Sequence, residues 1–210
     1  MTDPVRAAYD TMAERYAALF LHELDRDSQT LEALAAFAEA AAGQTGPVMD
    51  LGCGPGGAVD HLRQRGLSVF GVDASPGQIA QARMAFPERH FAVGDLTALG
   101  VPDASLGGIV AKYSIIHLPP ADLPAVFGEW HRALAPGAPV LVSFFGSRSG
   151  DNHGRPFDHR VITAYELFPD TVADLLRGAG FRTVRVEASP IPEGGRPFDH
   201  TTVLAGKPSD

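Results

Sequence analysis

A short apolar run that ends in a carboxylate and opens into glycines, Val48-Met49-Asp50-Leu51-Gly52-Cys53-Gly54-Pro55-Gly56-Gly57, restricts the fold more than any other stretch of this chain. Bounded by glycine and followed by the helical stretch Ala58 to Arg65, it reads as a buried strand feeding a helix through a tight loop. The next apolar run, Leu67 to Asp73, closes on a second acid. Glycines 52, 54 and 57 match the G-x-G-x-x-G spacing that lets a backbone approach a nucleotide-like ligand. Asp73 lies about 20 residues on, where a carboxylate can accept both hydroxyls of a ribose.

The same alternation continues along the chain. Apolar runs Pro47 to Leu51, Leu67 to Asp73, Arg89 to Val93, Leu106 to Lys112 and Pro139 to Phe145 are strands. Helices at Ala58 to Arg65, Gly77 to Ala85 and Asp122 to Leu134, with a turn-rich link after Val93, separate them, which implies right-handed crossovers and a parallel sheet. Asp170 to Ala179 is a further helix opened by an Asp cap, Thr183 to Ala188 a sixth strand and Thr201 to Ala205 a seventh. Too few residues join the last two strands for a parallel crossover, so the seventh returns antiparallel. Before the sheet, Pro4 to Phe20 and Ser28 to Ala42 carry apolar residues at helical spacing. Trp130, in the repeat Leu123, Val126, Phe127, Trp130, Leu134, belongs to the core.

The expected architecture is therefore α/β and Rossmann-like: seven strands, mostly parallel with an antiparallel last strand, and helices on both faces. One domain spans residues 1–210, with a helical lid over 1–45, a core over 46–210, and substrate loops near 146–168 and 189–200. The length supports a full hydrophobic core. A net charge of −8 weighs against an extended phosphate-binding surface, so no nucleic-acid partner is expected. No apolar run approaches the roughly 20 residues that span a bilayer, and the start lacks the pattern of a secretory signal, so no membrane partner and a cytoplasmic location are expected. Cys53, the single cysteine, has no internal disulfide partner and suits its place between glycines by size. The sequence leaves the oligomeric state open.

Electrostatics discriminates between ligands for the glycine loop. A dinucleotide would bring a pyrophosphate to the helix N-terminus, and Asp50 at the same strand end would repel it. Two unit charges about 4 Å apart interact by roughly 4 kcal/mol at an effective dielectric near 20. A cation turns that penalty into attraction. S-adenosylmethionine has a ribose for Asp73, no phosphate, and an ammonium and a sulfonium for the acidic strand end.

The ordered set Val48 to Gly57, Gly71-Val72-Asp73-Ala74-Ser75, Gly94-Asp95-Leu96, Lys112 to Leu118 and Leu134-Ala135-Pro136-Gly137 strongly resembles the class I S-adenosylmethionine-dependent methyltransferases over roughly residues 5 to 207. The resemblance implies that Asp50, Gly52 and Gly54 face the methionine part, that Asp73 binds the ribose, that Asp95 and Leu96 frame the adenine, and that Ala74 and Gln78 are further cofactor-binding residues. It adds Lys112, Tyr113 and His117 after the fourth strand. In similar small-molecule enzymes the first helix carries the pattern seen here as Tyr9-Asp10-Thr11-Met12-Ala13-Glu14-Arg15-Tyr16, which implies Tyr9 and Tyr16 as cofactor contacts. Enzymes that methylate base amines usually carry an Asn/Asp-Pro-Pro-aromatic motif where this chain has Lys112-Tyr113-Ser114-Ile115, which again disfavours a nucleic-acid substrate.

Methyl transfer from a sulfonium gains much from positioning, but a phenol or alcohol must also lose a proton, which histidine accepts best near neutral pH. His117, His153, His159 and His200 fall on loops at the ligand edge; His117, His159 and His200 are the candidate bases. The last two lie in a local duplication, Arg155-Pro156-Phe157-Asp158-His159 and Arg196-Pro197-Phe198-Asp199-His200, whose aspartates could orient an imidazole. Their spacing fits no metal signature, so no metal is expected. Phe144, Phe145, Phe157, Phe168 and Phe198 concentrate in the same third of the chain, in the core or against a small apolar substrate. The expectation is methylation of a small organic acceptor, oxygen before nitrogen before carbon. The alternatives are a peptide or protein methyltransferase, an NAD-dependent oxidoreductase, and a cyclase that binds S-adenosylmethionine without transferring methyl.

Overall fold

The structure is a computed structural model that describes residues 3–22, 24, 28–147, 154–159, 161–190 and 198–209. Two helices, α1 (Asp3–Phe20) and α2 (Ser28–Ala41), lead into alternating elements. These are β1 (Val48–Leu51), α3 (Gly57–Gln64), β2 (Val69–Asp73), α4 (Pro76–Ala85), β3 (His90–Val93), β4 (Gly108–Lys112), α5 (Leu123–Ala133) and β5 (Pro139–Ser147). A hairpin of β6 (Arg155–Asp158) and β7 (Thr163–Glu166) precedes α6 (Pro169–Gly178), β8 (Arg182–Pro190) and β9 (Phe198–Gly206). The main sheet has seven strands in the order β3-β2-β1-β4-β5-β9-β8. The first five are mutually parallel, and β9 runs antiparallel to both β5 and β8.

Strand alternation divides the core between the faces. Val48, Val110, Leu141 and Leu204 pack with Phe37 of α2, Val59 of α3 and Ile79 of α4. Their strand neighbours Met49, Ile109, Val140 and Val203 pack on the other face with Phe127 and Trp130 of α5 and Val172 and Leu176 of α6. Trp130 is fully buried, and its indole N–H donates to the Leu96 carbonyl at 2.8 Å. Because order reverses between β1 and β4, their carboxyl ends leave a crevice at the centre of the sheet, the usual place for a ligand in such folds.

Three expectations change. The region 1–45 is not wholly a lid: α2 buries Leu34 and Phe37 against the sheet, while α1 lies beside α4 over the crevice. Asp170 does not cap α6; Phe168 holds the cap position with extended backbone, Pro169 opens the helix, and Asp170 sits in its first turn, where an acid still complements the helix dipole. The stretch after β5 contains the β6–β7 hairpin, whose first strand is most of the first duplicated unit. The second unit starts β9 at Phe198, while Arg196 and Pro197, like His153, lie outside the described residues.

Candidate active site

The loop after β1 is built around left-handed backbone that favours glycine. Gly52 and Gly54 have φ of +72° and +51°, and a Cβ on Gly52 would stand 2.4 Å from Cβ of Ser114. Gly71, beside Asp50 in the β1–β2 register, leaves room for Cys53 and Phe91; a Cβ there would lie 2.8 Å from Sγ of Cys53. Cys53 therefore occupies its site by size, and burial pushes its thiol above the ordinary range.

Asp73 organises this loop. One carboxylate oxygen accepts from the Gly54 N–H at 2.9 Å and the other from the Ser75 N–H at 2.9 Å. Burial raises its pKa, with those N–H donors acting in the opposite direction. Asp50 is 2% exposed, and its Oδ2 has no hydrogen-bond partner. Burial pushes its pKa up to about 7, with Lys112 pulling it down and Asp73 pushing it up further. A buried carboxylate without its own donor favours an incoming cation.

Two cavities meet at the glycine loop. One, of about 80 Å³, is lined by Asp50, Gly52, Gly54, Lys112 and Tyr113, with Tyr16, Phe20 and Leu24 closing it from above. The other, of about 40 Å³, is lined by Asp73, Gln78, Ser114 and His117 together with Tyr9 and Tyr16. The side-chain amide of Gln78 is buried with both polar atoms unpartnered. Thus Tyr9, Tyr16, Asp50, Gly52, Gly54, Asp73, Gln78, Lys112, Tyr113 and His117 line these two cavities. Ala74, Asp95 and Leu96 do not line these two cavities: Ala74 and Leu96 are buried, and Asp95 accepts from the N–H and hydroxyl of Thr97 at 2.9 and 2.8 Å.

Residues with no role assigned from sequence hold α1 in place. Asp10 of α1 accepts from the Ser75 hydroxyl at 2.5 Å and the Gly77 N–H at 2.8 Å, at the start of α4. The Ser75 hydroxyl in turn caps α4 by accepting from the Gln78 N–H at 3.0 Å. At the α4 end the sequence signal is the Ser-Pro-x-Gln start, a helix N-terminus signature. Both cavities are well below the ~300 Å³ at which small-molecule pockets begin, and Tyr9, Tyr16 and Phe20 of α1 form part of their walls.

The imidazole of His117 lies between the Tyr9 hydroxyl, 2.8 Å from Nε2, and the Thr163 carbonyl, 3.0 Å from Nδ1. A carbonyl only accepts, so Nδ1 carries the proton, Nε2 presents its lone pair, and the Tyr9 phenol donates to it. Burial lowers the His117 pKa, while the carbonyl raises it to a lesser extent. Burial holds Tyr9 well above the ordinary phenol range, with Tyr16 and Asp73 adding to the effect, so it remains a donor. His159 packs edge-on to His117 with ring centroids 5.3 Å apart, and Nδ1 of His200 is hydrogen-bonded to the Tyr113 hydroxyl. All three candidate bases therefore gather at one end of the sheet. Tyr113 has φ of +51°, an uncommon conformation for a bulky residue, and it turns from β4 into this cluster. Among the described residues no group of three or more potential metal ligands comes together.

The residues present fit S-adenosylmethionine: an unpartnered buried carboxylate for its cationic end, a second acid for its ribose, an unpartnered Gln78 amide, and a glycine loop that admits close approach. Residues 48–137 match the family model described as a methyltransferase domain. A probable S-adenosylmethionine-dependent methyltransferase from Mycolicibacterium smegmatis is 33% identical, the match covering 64% of this chain and 51% of the relative. A trans-aconitate 2-methyltransferase from Methylobacterium nodulans is 30% identical over 65% of this chain and 50% of its own. The chain thus spans about half the length of these two relatives. Among solved structures, magnesium protoporphyrin IX methyltransferase from Synechocystis PCC 6803 with bound S-adenosylhomocysteine superposes with a TM-score of 0.74 at 17% identity, covering 97% of this chain and 98% of that one.

Proposed function

We propose that this chain, whose residues 48–137 match the methyltransferase-domain model, is a class I S-adenosylmethionine-dependent methyltransferase and that it methylates a small organic acceptor, at oxygen in the first instance and nitrogen in the second. Its cofactor is S-adenosylmethionine. Asp50, Gly52 and Gly54 hold the amino-acid and sulfonium end, Asp73 and Gln78 the ribose side, and Tyr9 and Tyr16 close over it. Asp95 and Leu96 remain assigned to the adenine, and Ala74 to the loop beside the ribose. When bound, the cofactor supplies an electrophilic methyl group on a good leaving group.

The observation that carries an oxygen acceptor is the neutral His117 with its lone pair committed to the lid phenol Tyr9. An acceptor hydroxyl placed against Tyr9 Oη gives up its proton there while the phenol proton passes to Nε2 of His117. The tyrosine ends neutral and the charge resides on the imidazolium. The carbonyl of Thr163 still accepts from Nδ1–H and stabilises that imidazolium. Because Tyr9 rides on α1, the proton acceptor is complete only with the lid shut, which also keeps water from competing with the acceptor. His159, packed on His117, and His200, bonded to Tyr113, would orient the acceptor. A trans-aconitate 2-methyltransferase among the relatives is named for a small-molecule substrate, which supports the same class here.

The test is calorimetry of the whole chain with S-adenosylmethionine and with NAD, followed by incubation of methyl-labelled S-adenosylmethionine with a panel of small phenols, alcohols, acids and amines. We expect binding of the first ligand and label in a small product. Binding of NAD with none of S-adenosylmethionine would overturn the reading. Label entering only a peptide, or no product at all while the acceptor is transformed, would replace it with the corresponding alternative.

A further inference from the structure

The duplicated Arg-Pro-Phe-Asp-His units, 41 positions apart in sequence by their numbering (155 to 196), meet in space through their phenylalanines. Phe157 of β6 and Phe198 of β9 lie with ring centroids 4.6 Å apart. Phe145 of β5 packs against both, 5.6 Å from Phe157 edge-on and 6.0 Å from Phe198. Phe145 also contacts Tyr113 at 5.0 Å, His159 at 5.6 Å and His200 at 6.1 Å. A group of rings this dense would be ordinary core if it were sealed. It is not sealed throughout: Phe198 is buried, but Tyr113, Phe145, Phe157, His159 and His200 are only half-buried, with Tyr113, Phe145 and Phe157 at the edge of the core that contains Phe144.

The cluster is also continuous with the cofactor crevice. Tyr113 lines both cavities and packs on Phe145; His117 lines the second cavity and packs on His159. Two side chains therefore face the reacting end of the cofactor site with one part and the ring cluster with another. We propose that this cluster is the acceptor site and that it takes a planar, uncharged aromatic molecule carrying a phenolic hydroxyl. The inference rests on the methyl-transfer reading and supplies its substrate class.

The physical basis is threefold. Edge-on and tilted ring pairs leave faces and edges whose quadrupoles favour another aromatic ring over an aliphatic one of equal size. The imidazoles and the Tyr113 hydroxyl place polar atoms along one side, which orients a single hydroxyl toward His117 and Tyr9. An ionised acceptor would lose its hydration against phenylalanine faces while His117 is held neutral, so the acceptor enters uncharged and is deprotonated only on methyl transfer.

The probe is 2-naphthol, titrated by its own fluorescence into the full chain in the presence of S-adenosylhomocysteine. We expect saturable binding, weakened about tenfold by Phe145→Leu and by Phe157→Leu, with S-adenosylhomocysteine affinity unchanged by calorimetry. The saturated counterpart, decahydro-2-naphthol, is expected to compete at least tenfold less well, a measurement that needs no variant to fold. Equal competition by the saturated alcohol, tighter binding of 2-naphthoate, or indifference of naphthol binding to both leucine variants would overturn the proposal. Loss of S-adenosylhomocysteine binding by the unaltered chain would instead refute the methyl-transfer reading, while the naphthol titration still judges the ring cluster.

Discussion

The phenol of Tyr9 donates to Nε2 of His117 across 2.8 Å, joining residues 108 positions apart and tying the first helix to the end of the fourth strand. If that pair accepts the acceptor's proton, His117→Ala lowers turnover about 100-fold or more while cofactor affinity by calorimetry stays nearly intact. Tyr9→Phe should cost turnover in the same way, since it removes the hydroxyl that relays the proton to Nε2 of His117. If His117→Ala, His159→Ala and His200→Ala all keep near-normal turnover, positioning alone carries the reaction.

The same imidazole must be neutral to take a proton. Burial lowers its pKa, so the acid limb of the turnover profile should lie below the ordinary histidine range, and activity should be lost only as pH falls through that depressed value. A pH–rate profile whose acid limb lies above it would assign the limb to another group.

Cofactor affinity should itself depend on pH through Asp50. Its pKa in the ligand-free fold is about 7 against an ordinary value of 3.8, and a cation binds the ionised form. Affinity should level off above about pH 7 and weaken toward tenfold per pH unit below it. The sign for folding is opposite: protonated Asp50 carries no charge-burial penalty below pH 3.8, and the penalty grows to its full value as pH rises through about 7. Asp50→Asn should therefore raise the thermal midpoint of the ligand-free chain at pH 8, flatten the pH dependence of binding, and weaken binding overall; calorimetry and thermal melts across pH 5–9 check all three.

Asp10 fastens α1 to the start of α4 through Ser75 and Gly77. Removing it with Asp10→Ala takes away contacts of the helix-capping kind, worth ~1 kcal/mol, so S-adenosylhomocysteine should leave about fivefold faster. Hydrogen exchange within α1 should rise in parallel. Unchanged exchange there would mean that Tyr9 and the apolar contacts hold the helix unaided.

Gly71→Ala places a methyl 2.7 Å from Cδ1 of Phe91 and 2.8 Å from Sγ of Cys53, in the strand beside Asp50. Overpacking of this kind costs ~1–3 kcal/mol, read as a fall in the denaturant midpoint. The double variant Gly71→Ala, Cys53→Ala should recover part of it, since it removes the Sγ contact while Phe91 and Cβ of residue 53, at 2.9 Å, remain.

Local pattern was enough to establish the seven strands, their parallel run and antiparallel return, the glycine loop and the two acids. Each rests on periodicity, glycine placement or chain length between neighbours, which are short-range properties of the polymer. The same reasoning placed Trp130 in the core and Cys53 in a site that admits only a small side chain. Packing alone decided what the side chains do to one another. Nothing near His117 in sequence announces the Thr163 carbonyl that sets its tautomer or the Tyr9 phenol that meets its lone pair. Nothing near Asp10 announces the N-terminus of α4. The β6–β7 hairpin was read as loop because its four-residue strands are too short for a period to emerge, and the two copied phenylalanines become partners only once β9 returns beside β5. Periodicity reports which face of its own element a residue occupies; which face of another element it meets depends on the sheet order, and that is a property of the whole fold.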